Sequence, residues 1–69
     1  MMGVQLEISK DYNSTRFTVK EDYGFNSKCI SVENWRVSDY QLEQVRNAMT
    51  YAYDVDSAIQ QVKQVLGIY

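Results

Sequence analysis

Asp54 and Asp56, with Glu43 earlier in the chain, are the nearest this sequence comes to a pair of catalytic carboxylates. General acid–base work needs a carboxyl whose pKa is moved by burial or by a close like charge. Both aspartates instead fit the opening of a helix, Asp54 as its N-cap and Asp56 as negative charge in the first turn. Cys29 is the only cysteine, and the chain has no histidine to help turn it into a thiolate. It is expected to be a small buried or half-buried strand residue. Glycines stand singly at 3, 24 and 67, without the spacing of a phosphate-binding loop. No serine has a histidine partner, and one cysteine without histidine builds no zinc site. The expectation is a protein that is not an enzyme and uses no cofactor or metal.

Binding is the chemistry that the residue types do support. Tyr40, Gln44, Asn47 and Tyr51 recur at spacings of four, three and four, which places them on one stripe of a helix. Tyrosines beside amides give a large, rigid contact area with hydrogen bonding at the tips, as protein interfaces favour. The competing expectation is that one or both tyrosines pack on the rest of the domain, since six Tyr in 69 residues must partly serve as core. A nucleic-acid-binding patch would need Arg16, Lys20, Arg36 and Arg46 to converge in space. Seven basic residues against nine acidic, a net charge of −2 and no basic run disfavour that partner. A third possibility is an oligomer that sequesters a small nucleotide-like ligand between aromatics such as Tyr40 or Tyr51.

Strands and helices must position these side chains. Val4-Gln5-Leu6-Glu7-Ile8-Ser9 alternates apolar and polar, the period of a half-buried strand. Asp11–Ser14 supplies turn chemistry, and the sequon Asn13-Ser14-Thr15 is read as part of that turn. Arg16–Lys20 alternates again, with Phe17 and Val19 inward, and completes a hairpin. Glu7 and Lys20 are expected to pair across its outer face, a contribution of roughly 0.2–1 kcal/mol. Glu21–Ser27 reads as a turn in which Tyr23 and Phe25 are expected to fold down over the sheet edge, the competing expectation being that they stand out to meet a partner. Lys28–Asn34 is the third strand, with Ile30 and Val32 on one face and Cys29, Ser31 and Glu33 on the other. Trp35 is expected in the core, its indole N–H bonded near the rim.

Ser38–Leu66 contains neither Gly nor Pro. Ser38 and Gln41 fit a capping box, and Val37 and Leu42 fit the hydrophobic staple that accompanies it. One apolar stripe runs Leu42, Val45, Met49, Ala52, and a second runs Val55, Ile59, Val62, Leu66. Two successive spacings of three, Met49 to Ala52 to Val55, break the seam between them. Two helices are therefore expected, Ser38–Tyr53 and Asp54–Leu66, ending at Gly67 in a left-handed cap with Ile68 folded back. A single helix over the same span would be about 43 Å long, too long for three strands to cover. The expected fold is α+β: a three-stranded antiparallel sheet, hairpin plus third strand, followed by two C-terminal helices on one face, βββαα, in one small domain over 1–69.

A chain of this size supports a net stability of only about 3–5 kcal/mol. With no disulfide or metal available, self-association is the remaining common staple, and a homodimer or larger is expected. No signal peptide, membrane-spanning run or lipidation signal is visible, so a cytoplasmic protein without a membrane partner is expected. The profile is similar in style to small phage and mobile-element accessory proteins, some of which block host defence by occupying a surface of a larger machine. The partner expected on that analogy is a larger protein that the chain modulates or inhibits.

Overall fold

The computed structural model describes residues 3–68. Three strands, β1 (Val4–Lys10), β2 (Ser14–Glu21) and β3 (Ser27–Glu33), form an antiparallel meander in the order β1-β2-β3. A single 3₁₀ turn over Asn34–Arg36 leads into α1 (Asp39–Met49) and α2 (Val55–Leu66). The architecture is the α+β, βββαα arrangement that the alternation and the two stripes imply.

Alternation decides which face of the sheet is covered. Leu6, Phe17 and Val19 point to the helices, as do Ile30 and Val32 of β3. Gln5, Glu7, Arg16, Thr18, Cys29 and Ser31 have the opposite parity and lie on a face that neither helix covers. On that open face Lys20 Nζ meets Glu7 Oε1 at 3.1 Å. The pair is diagonal, since Glu7 stands opposite Thr18 and Lys20 opposite Gln5. Cys29 is exposed there, contrary to the expected burial. The inward places on β3 belong to Ile30 and Val32, and a cysteine one residue away must face solvent.

The helices form the second layer, α2 against β2 and β3 and α1 against β1. Phe17, Val32, Val45, Val62 and Leu66 make one buried group, joined by half-buried Leu42, Val37 and Met49. Val19, Ala52, Val55, Ala58 and Ile59 make the other. The whole second stripe is buried, whereas α1 buries Val45 alone. The capping box is complete: Ser38 Oγ accepts from the Gln41 N–H at 3.2 Å, and Gln41 Oε1 accepts from the Ser38 N–H at 2.9 Å. Asp54 caps α2 by accepting from the Ser57 N–H at 2.7 Å. Gly67 sits at φ 73°, and the Ile68 N–H reaches Lys63 O at 2.8 Å, which closes α2 in a Schellman motif.

The first helix ends at Met49, short of the expected Tyr53. Thr50, Tyr51 and Ala52 donate to the carbonyls three residues back, at Asn47, Ala48 and Met49. This tighter winding carries Ala52 into the second core group and puts the break at Thr50–Asp54. The third strand likewise ends at Glu33. Asn34 leaves the ladder because its side chain and backbone are committed to the β1–β2 turn.

Candidate protein-binding surface

The aromatic residues are distributed against the usual trend. Phe17 is fully buried in the core, Tyr69 lies outside the described residues, and the other seven of the nine are exposed. Tyr12 and Trp35 stand at the end of the sheet that carries the β1–β2 turn, with Tyr40 following in the first turn of α1. Tyr23 and Phe25 stand on the β2–β3 turn, and Tyr51 and Tyr53 on the connection between the helices. A fully buried aromatic contributes one of the largest apolar areas available to a core. This chain leaves that area in water at seven places.

Three of these exposures correct expectations. Trp35 is 78% exposed, not core. The space between sheet and helices is filled by Phe17 and aliphatic side chains, and the 3₁₀ turn holds Trp35 beyond it. Its indole N–H donates to the Glu33 carboxylate, and the Arg36 guanidinium carbon lies 5.7 Å from the ring centroid. Tyr23 and Phe25 do not fold over the sheet edge. The turn is closed by polar contacts instead, with Asn26 Nδ2 donating to Glu21 Oε1 at 3.1 Å and the Glu21 N–H donating to Asn26 O at 3.1 Å. Both rings are left outside.

Of the four residues expected to share a stripe, Tyr40, Gln44 and Asn47 lie on α1, which ends at Met49, and Tyr51 lies beyond it. Tyr40, Asn47 and Tyr51 are exposed, and Gln44 is half-buried. Gln44 precedes the buried Val45 by one residue, which puts it a quarter-turn or so from the centre of the core face. Tyr51 lies past the helix end, in the tightened turn, and stays on the outer side. The basic residues are not brought together. Arg16 and Lys20 lie on the open face of the sheet, with Lys20 engaged by Glu7. Arg36 is at the 3₁₀ turn, and Arg46 is on α1 in the opposite layer.

No family model, curated protein or solved structure matches this chain. The surface must therefore be understood from its own chemistry. Two of its aromatics, Tyr23 and Tyr53, come from distant parts of the sequence and line one hollow together with Gly3, Glu21, Asp22 and Asp54. The Tyr23-Gly24-Phe25 turn is visible in the sequence. Its meeting with Tyr53 is not, because it depends on where α1 stops. Among the described residues no helix is long and apolar enough to cross a membrane.

Proposed function

We propose that this chain is a small non-enzymatic protein-binding module that modulates or inhibits a larger protein complex. It acts in the cytoplasm, as a homo-oligomer, in the manner of phage and mobile-element accessory proteins. Tyr40, Gln44, Asn47 and Tyr51 form its primary contact. The observation that carries this reading is the exposure of all described aromatics but Phe17. Exposed rings of this number are costly in water and gain most by burial against another protein, where Tyr and Trp dominate binding energy. The dispersal of Arg16, Lys20, Arg36 and Arg46 gives no support to a nucleic-acid partner.

The test is capture from the native host with the chain as bait, beside a Tyr40→Ala/Tyr51→Ala variant. The expected outcome is a partner complex identified by mass spectrometry with the parent and lost with the variant, at unchanged thermal stability. A complex held equally well by both would move the contact away from α1. Loss of folding in the variant would show that the tyrosines hold the domain together.

A further inference from the structure

We propose that the hollow between Tyr23 and Tyr53 receives the side chain of an arginine carried by a partner protein. This deepens the protein-binding reading and rests on it. The hollow has a volume of about 90 Å³, and its lining draws on three parts of the chain. Gly3 precedes β1, Glu21 to Tyr23 lead out of β2, and Tyr53 and Asp54 lead into α2. The Asp22 N–H donates to Gly3 O at 3.1 Å, which joins the first two of these parts. Tyr23 and Tyr53 line it beside the acidic residues Glu21, Asp22 and Asp54.

Charge selects the occupant. Lys28 lines a neighbouring hollow with Glu21 and Asp54, yet it pairs with Asp56, and Lys20 pairs with Glu7. Among the described residues these are the ion pairs, and neither uses a carboxylate of the hollow. Glu21 Oε1 accepts from Asn26 and Asp54 Oδ1 from the Ser57 N–H. Both of those donors are neutral, and neither carboxylate is in an ion pair. Asp22 adds a third. Among the described residues the acidic side chains nowhere gather closely enough to hold a metal ion. Two tyrosines beside three acidic residues suit a wider, flat cation. A guanidinium is planar and weakly hydrated, stacks on an aromatic face, and offers five donors to carboxylates on several sides. An ammonium presents a strongly hydrated point charge and gains less from two flanking rings.

The test titrates a blocked Gly-Arg-Gly peptide into the full chain and follows it by two-dimensional NMR. The citrulline peptide, a neutral isostere, serves as the control. The expected result is that the arginine peptide shifts the signals of Gly3, Tyr23 and Tyr53, that added salt weakens the effect, and that citrulline shifts nothing. Asp22→Asn and Tyr53→Ala should each weaken binding roughly two- to fivefold, the size of one exposed cation–π or ion-pair contact. Both residues are exposed, and an unchanged spectrum elsewhere checks that each variant folds. Equal shifts with citrulline, or arginine-induced shifts that miss Tyr23 and Tyr53, would overturn the proposal. So would Tyr23 and Tyr53 signals that move with protein concentration alone, since the occupant would then be a second copy of this chain. Each of these results leaves the Tyr40/Tyr51 capture experiment untouched, so failure of this site and failure of the protein-binding reading are distinguishable.

Discussion

Thr15, the one buried polar residue among those described, donates its hydroxyl to Asn34 Oδ1 at 2.7 Å. The same asparagine donates from Nδ2 to Asp11 O at 3.1 Å and Tyr12 O at 3.2 Å, and its N–H reaches Asn13 O at 3.1 Å. One side chain thus closes the β1–β2 turn and fixes where β3 gives way to the 3₁₀ turn. Asn34→Ala leaves a buried hydroxyl unpaired and should cost about 1–3 kcal/mol. Thr15→Val removes the hydroxyl itself, and Asn34 can turn to water, so it should cost less. Urea unfolding checks the order of the two midpoints. A Thr15→Val variant less stable than Asn34→Ala would contradict the role given to Asn34.

Helix ends offer a second measurable contribution. Ser38→Ala removes the bond to the Gln41 N–H and breaks the reciprocal box, and should cost about 0.5–2 kcal/mol. Gly67→Ala forces a side chain into φ 73° and should cost about 1 kcal/mol. No atom crowds that position, so the loss is one of backbone conformation alone. Thermal melts of the two variants and their double mutant should show nearly additive shifts, because the sites share no partner.

Trp35 makes an optical prediction. It is the only tryptophan and is largely in solvent. Its emission should be red-shifted in the native protein and change little on unfolding, while circular dichroism shows the full transition. Iodide or acrylamide should quench it readily in the folded state. A blue-shifted native emission would place the indole in an apolar setting and remove Trp35 from the exposed aromatics.

Cys29 should react with a disulfide reagent in the native protein at a rate close to that of the unfolded chain. It is exposed on the open face of β3 and needs no opening of the structure to be reached. Protection that disappears only in denaturant would mean that a second copy covers this face.

The two helices should differ in hydrogen exchange. Val45 is the only fully buried residue of α1, whereas α2 buries Val55, Ala58, Ile59, Val62 and Leu66. Amides of α1 should exchange through openings of lower free energy than those of α2, by the logic of local unfolding. Equal protection along both helices would require a partner surface over α1.

What the sequence made legible was whatever is settled by neighbours along the chain. The alternation through Val4, Leu6 and Ile8, the Ser38–Gln41 box, the Asp54 cap and the Gly67–Ile68 ending all depend on spacings of a few residues, and the structure has each of them. The change of seam at Ala52 located the break between the helices to within a few residues. Residue type alone argues for burial of Trp35. Its place was decided by hydrogen bonds between Asn34 and a turn much earlier in the chain. The exposure of Cys29 is legible in its parity, which opposes it to Ile30 and Val32 in β3. The hollow shared by Tyr23 and Tyr53 had no local signal of any kind.

The burial of Phe17 alone among the described aromatics has a consequence for how such a chain can change. Its folding rests on aliphatic residues, one phenylalanine and a handful of caps, and its large rings lie elsewhere. Replacing Tyr12, Tyr23, Trp35 or Tyr53 removes little from the core, so these positions can vary without dismantling the domain. On the proposed protein-binding reading, partner choice and foldability are inherited through nearly separate sets of residues. A protein built in this way can follow a shifting target by altering its surface, with its small margin of stability left intact.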